Sequence, residues 1–286
     1  MTAPLSLAHS PCPNDTFVFH AWTHGLLPDA PEVEVTLADI DVTNGQARRG
    51  ELDVLKVSYG VLPHILDQYA LLPAGGALGR GCGPLVLTAD PVAPAALAGA
   101  RIAVPSTTST AYLLFRLWAA RAVPGGVGDV VVLPFEEIMP AVRDRRVDAG
   151  LVIHEARFTY QRFALHRLAD MGEEWEKQTG LPIPLGAIVA RRALGDANVA
   201  RLARAARDSV RAAWAAPGLC RSYVRRHAQE MDADVIDQHI GLYVNHFTAD
   251  LGEEGLHAVH TLLTRSAEQG LLPAIPSGAL DPVPAA

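Results

Sequence analysis

The chain has 286 residues, of which 49% are hydrophobic and 19% charged, a balance that excludes intrinsic disorder. Its 24 Lys and Arg stand against 31 Asp and Glu for a net charge of −7, and no basic cluster offers a nucleic-acid surface. No apolar run of about 18 residues is present to span a membrane, and Cys12, Cys82 and Cys220 are too widely spaced for a disulfide framework or a CxxC metal knuckle.

The length is too great for one small core and short for three ordinary domains, so two α/β-sized lobes are expected. Leu5–Ala8 has a strand pattern, followed by the turn-rich Ser10-Pro11-Cys12-Pro13-Asn14-Asp15 and a helical run over Thr16–Trp22. Pro13 suits a helix start, where the first N–H groups have no intrahelical acceptor. Glu32–Leu37 alternates as a strand, Val42–Arg49 is a short helix closed by Gly50, and the next strand delivers Ser58 at its C-terminal end. Strands and helices alternating at this rhythm imply parallel βαβ units.

A similar phrase returns about a hundred residues later. Met139–Arg146 is helical, and the strand Val147–Ile153 closes on His154, as the earlier one closes on Ser58. Ligands in open parallel sheets sit beyond the carboxyl ends of strands, so both residues are site candidates. Between the phrases, Pro84–Thr88 and Arg101–Val104 read as strands, Ser106–Thr110 leads into the helix Ala111–Arg121, and Asp129–Leu133 is a further strand. Leu185–Arg191 is another strand, and from Asp196 to Gly270 a helical period prevails (Val199, Leu202, Ala206, Val210, Trp214, then Val235, Ile236, His239, Tyr243). With Pro84–Thr88 and Leu185–Arg191 as crossings, residues 1–88 and 190–286 form a larger discontinuous lobe and 89–189 a smaller inserted one. A Pro- and Ala-rich tail, 273–286, is expected to be loosely held. This is the plan of a hinged binding protein that closes on a small molecule.

His154 is the sharpest single position, because an imidazole at a strand end titrates near working pH and suits a general base. Ser106–Thr110 places five hydroxyls at a helix start, where unpaired N–H groups and the dipole attract anions. Gly75–Gly83 is glycine-rich but lacks the Gly-Lys-Ser/Thr ending of a phosphate loop, and reads as a tight loop approaching a ligand. Arg80 within it is a candidate partner for a carboxylate. His20 and His24 lie four apart without a second metal-ligand pair, so no metal is expected. His239, His246, His257 and His260 read mostly as surface residues.

Four segments together point to a family. They are Ser10–Phe17, Lys56-Val57-Ser58-Tyr59, Gly75–Gly81 with Gly83-Pro84-Leu85, and Ile153–Tyr160. With Thr110-Ala111-Tyr112, Thr179–Ile188 and Tyr243-Val244-Asn245 they resemble the 1,4-dihydroxy-6-naphthoate synthase family of the futalosine route to menaquinone, in order from about residue 5 to residue 270. The resemblance implies a type II periplasmic-binding-protein-like α/β fold with a hinged central cleft, used as a cytoplasmic lyase without metal or cofactor. It implies cyclic dehypoxanthine futalosine as small-molecule substrate, His154 as base, and Ser58, Ser109 and Thr110 as substrate contacts, with Asn14 and Arg80 as further candidates. The family's helix start carries a Thr-Thr pair where this chain has Ser109-Thr110, which keeps the hydroxyl and loses a methyl. Chorismate dehydratase, of the same fold and pathway, is the nearest rival, and a transporter's solute-binding protein the next. The latter needs an export signal that Met1–Ser10 does not offer, which leads us to expect a cytoplasmic protein.

Overall fold

The protein is described by a computed structural model over residues 3–228 and 232–281. The expected tail therefore lies outside the described residues from 282 onward. The elements in order are β1 (Leu5–His9), α1 (Pro13–Thr23), β2 (Val33–Leu37), α2 (Ile40–Arg49), β3 (Val54–Ser58) and β4 (Tyr69–Gly79). Then come β5 (Leu85–Thr88), β6 (Ile102–Val104), α3 (Thr110–Ala122), β7 (Val130–Val132), α4 (Phe135–Arg143), β8 (Ala149–Val152), α5 (Ala156–Thr159), β9 (His166–Asp170) and α6 (Met171–Thr179). The chain closes with β10 (Ile183–Arg191), α7 (Asp196–Ala215), α8 (Pro217–His227), α9 (Ala233–Tyr243), α10 (His246–Ala249) and α11 (Gly252–Glu268).

Two units result, Met1–Gly79 with Pro184–Ala286, and Arg80–Ile183. The division thus falls before β5, earlier than the expected crossing at Pro84–Thr88. The reason is pairing: β5 is hydrogen-bonded antiparallel to β8 on one side and β9 on the other, both within the second unit.

The first unit is built on a sheet of order β2-β1-β3-β10-β4. β1 runs parallel to β2 and β3, and β10 antiparallel to β3 with Gly186 opposite Ser58. β3 is buried along its whole length, as an inner strand of a mixed sheet covered on both faces should be. Helix α1 is buried from Pro13 to Trp22 because α7 and α8 cover it. Leu7, Phe17, Phe19, Trp22, Val54 and Ile188 form the core with Val199, Leu202, Ala206 and Val210 of α7. Trp214, in register with that stripe, is instead 42% exposed.

The glycine-rich stretch corrects an expectation. Gly75–Gly79 is the end of strand β4, not a loop. A Cβ on Gly76 would stand 2.9 Å from the Gly186 carbonyl oxygen and 3.2 Å from the Tyr59 hydroxyl, so glycine here permits close backbone approach to β10.

The second unit repeats the arrangement, with order β7-β6-β8-β5-β9. β6 is parallel to β7 and β8, and β5 is antiparallel to β8. Its core is Leu85, Leu87, Ala103, Ile138, Val142 and Val152. The repeated phrase in the sequence is therefore a repeated topology, with β3 and β8 in equivalent places.

Candidate active site

In the first unit, parallel β1 and β3 bring their carboxyl ends to one edge, which sets His9 and Ser10 beside Ser58 and the start of α1. Asn44 of α2 grips Ser58 twice: its Oδ1 accepts the Ser58 N–H at 2.8 Å and its Nδ2 donates to Ser58 Oγ at 3.0 Å. The Ser58 hydroxyl proton is left to donate elsewhere.

Beneath it lies a buried polar network that sequence reading missed. Lys56 Nζ is 2.6 Å from Asp15 Oδ1, with side chains only 5% and 4% exposed. Asp15 also accepts from Ser10 Oγ and Asn14 Nδ2, each at 2.8 Å. Burial alone would raise the Asp15 pKa; the Lys56 ammonium outweighs it, with His9 and the hydrogen bonds, and holds the carboxyl below its ordinary value. Gly186 makes room, since a Cβ there would meet Lys56 Cε at 2.8 Å. His239 Nε2 lies 3.0 Å from Asn14 Oδ1 and the residue is fully buried, which overturns its reading as a surface residue. Its position on the apolar stripe of α9, with Val235, Ile236 and Tyr243, was the available signal. Lys56 carried a stronger one, a lysine inside an otherwise apolar buried strand.

His9 is fully buried, stacks on Phe19 at 4.8 Å, and donates from Nδ1 to the Ser10 carbonyl at 2.8 Å. Burial depresses its pKa below 6.5 more than neighbouring Asp15 raises it, and Lys56 and His227 add to the depression. The unfolded chain thus takes up this proton first as pH falls, so stability drops once pH goes below about 6.5. His9→Phe, which keeps the stack, should flatten the wild-type decline between pH 7.5 and 5.5 in urea unfolding. An unchanged slope would exclude His9 as its source.

In the second unit, parallel β6 and β8 likewise bring Ser106–Thr110 and His154 to one edge. Ser109 is the N-cap of α3: its Oγ accepts the Tyr112 N–H and donates to the Ser106 carbonyl, both at 3.1 Å. Thr110, 2% exposed, opens the helix. Ser109→Ala should cost about 1 kcal/mol of stability and Ser109→Thr should largely preserve it, as read by urea unfolding. Equal midpoints for all three proteins would deny the cap.

His154 follows β8 by two residues and has φ 52°, a left-handed backbone worth roughly 1–3 kcal/mol of strain in a residue with a Cβ. Its ring meets Phe135 edge-on, centroids 5.6 Å apart. Arg80 pairs with Glu176 at 3.5 Å and donates to the Gly180 carbonyl at 3.0 Å, so its guanidinium braces α6. In the first unit, His20 and His24 stack ring on ring at 4.3 Å.

The family model described as "Menaquinone biosynthesis" matches residues 5–268. The chain belongs to the menaquinone-biosynthesis family. Within reach of this family is a 1,4-dihydroxy-6-naphthoate synthase of Streptomyces coelicolor, 70% identical over 96% of this chain and 97% of that protein. The enzyme of that name from Thermus thermophilus is 45% identical over 93% and 95%. A crystal structure from Archaeoglobus fulgidus is 33% identical with TM-score 0.87, covering 94% of this chain and 98% of that one. The ligand-binding component of an ABC-type import system from Staphylococcus aureus superposes over the full length of both chains with TM-score 0.70 at 11% identity, which speaks to fold alone. The chain therefore has the α/β fold of periplasmic binding proteins, as expected, and is an enzyme of the menaquinone-biosynthesis family. No helix among the described residues is long and apolar enough to cross a membrane.

Proposed function

We propose that this enzyme is a carbon–carbon lyase that converts cyclic dehypoxanthine futalosine to 1,4-dihydroxy-6-naphthoate and a sugar-derived fragment. The observation that carries the reading is the 70% identity, over nearly the whole length of both chains, to the Streptomyces coelicolor synthase. His154 takes a proton from the substrate, the pair left behind forms a new double bond in the departing sugar-derived part, the pair of the broken carbon–carbon bond passes into the bicyclic ring, and the ring becomes aromatic as a proton returns to one of its oxygens. Aromatisation drives the step, so the protein must supply one base and accurate positioning.

The placement of His154 supports this role, since strained backbone collects at functional positions and a strand's carboxyl end is where ligands sit. Ser58 donates a hydroxyl proton to the substrate. Asn14 uses the second N–H of its amide, the first being bound to Asp15. Thr110 contributes a hydroxyl. Ser109 acts through an acceptor lone pair, because its own proton is directed to the Ser106 carbonyl.

The deciding experiment incubates purified protein with cyclic dehypoxanthine futalosine and follows products by chromatography and mass. Appearance of 1,4-dihydroxy-6-naphthoate supports the lyase. No product from that compound, with dehydration of chorismate in a parallel incubation, would replace it with the dehydratase.

A further inference from the structure

The left-handed backbone of His154 needs something to hold it, and Arg157 and Gly83, both in the segments of family resemblance, meet Asp170 to do so. Arg157, three residues on in α5, returns its backbone N–H to the His154 carbonyl at 3.3 Å. Its side chain reaches away from that turn and is held at two points. Nη2 lies 2.6 Å from Asp170 Oδ2, and Nη1 donates to the Gly83 carbonyl at 2.8 Å. The Arg157 side chain is 16% exposed and that of Asp170 fully buried.

Asp170 is itself rigidly placed. As the last residue of β9 and the N-cap of α6, it accepts the Gly172 and Glu173 N–H groups on Oδ1 at 2.8 and 3.3 Å. Arg167 Nη1 stands 3.7 Å from its Oδ2. Gly83 is fixed with equal force, since a Cβ on it would fall 1.9 Å from the Gly172 nitrogen and 2.8 Å from Asp170 Oδ1. Only glycine lets this backbone come close enough to present its carbonyl to Arg157. The bond to the Gly83 carbonyl is a directional, charge-assisted hydrogen bond, and the contact with Asp170 is a close ion pair that is costly to break once buried.

We propose that Arg157, clamped between Asp170 and the Gly83 carbonyl, is a positioning residue that anchors the turn bearing His154 and so sets the direction of its imidazole. The inference rests on the reading of His154 as the base. Arg157 touches no reacting atom; it acts through the three-residue turn, and Phe135 packs edge-on with the ring. Lysine cannot replace it, because one ammonium lacks the planar fork that meets a carboxylate and a carbonyl together.

The test uses the full-length protein with isotope-labelled histidine, the His154 ring signal being identified by its loss in His154→Gln. In Arg157→Lys that signal should move, and kcat on cyclic dehypoxanthine futalosine should fall by about 10²-fold, with KM kept within about threefold. Low, non-denaturing guanidinium should restore part of kcat in Arg157→Ala while leaving wild type and Arg167→Ala unaffected. Wild-type kcat with an unmoved His154 signal would overturn the proposal. So would a loss of kcat that guanidinium does not rescue and that tracks the loss of folded protein in urea unfolding, since that is the behaviour of a merely structural arginine. A moved signal with unchanged turnover would keep the anchor and remove His154 from the chemistry, which separates failure of the base from failure of its support.

Discussion

With His154 as the proposed base, His154→Gln is expected to lower kcat by about 10³-fold, within the range that a positioned general base contributes, with little change in KM. The amide keeps the size and hydrogen-bonding capacity of the imidazole and lacks a basic nitrogen. Because His154 has φ 52°, a second variant is needed to separate chemistry from backbone strain. Asparagine is among the few side chains that tolerate the left-handed region, so His154→Asn keeps the turn with the base removed. Steady-state rates for both variants, with product quantified by chromatography, decide the matter. If folded His154→Asn turned over near the wild-type rate, the proton would be going elsewhere and another base would have to be sought.

The second large effect is on stability. Lys56→Met leaves the Asp15 carboxylate in the interior without its cation, 4% exposed and formerly 2.6 Å from the ammonium. Removing one member of such a pair costs about 3–5 kcal/mol. Asp15 then loses the main influence holding its pKa down, while burial, which favours the protonated form, stays. The loss in Lys56→Met should accordingly be greatest near neutral pH and shrink on acidification as Asp15 takes up a proton. The double variant Lys56→Met/Asp15→Asn removes both charges and should regain most of the stability, because no uncompensated ion remains. Urea midpoints of wild type, Lys56→Met, Asp15→Asn and the double variant make a double-mutant cycle; additive losses would show that the two side chains are not coupled. The pair also joins β3 to α1, two residues from Ser58 and one from Asn14. A substrate contact weakened in the double variant despite restored stability is therefore expected as a raised KM.

Several features of this molecule could be read along the chain because they are local. Alternating strand and helix periods announced parallel βαβ units. The phrase ending in Ser58 and its counterpart ending in His154 became equivalent third strands of two like sheets, β3 and β8. Binary pattern and turn chemistry act over a few residues, so a periodic segment carries its own signature. The resemblance of the motif blocks to a family came from the same short stretches, and the family match over residues 5–268 agrees with it.

Other features depend on which segments come to lie side by side, and no local pattern encodes that. The glycines at 75 and 76 look like a loop until β10 and Tyr59 are packed against them. His239 looks like one more surface histidine until it meets Asn14 across 225 residues of sequence. Arg80 reads as a partner for a carboxylate, and only the fold shows that Glu176 of α6 stands 3.5 Å from it. Lys56 and Asp15, or Arg157 and Asp170, are unremarkable as letters and become pairs only when folding strips them of water, because an ion buried alone is far costlier than one buried with its partner. The chain's periodicity and motifs thus determined the class of fold and placed Ser58 and His154 at strand ends, where the chemistry is proposed. Which polar groups stand behind those ends was decided by tertiary packing, since desolvation is a property of the assembled neighbours and not of any one segment.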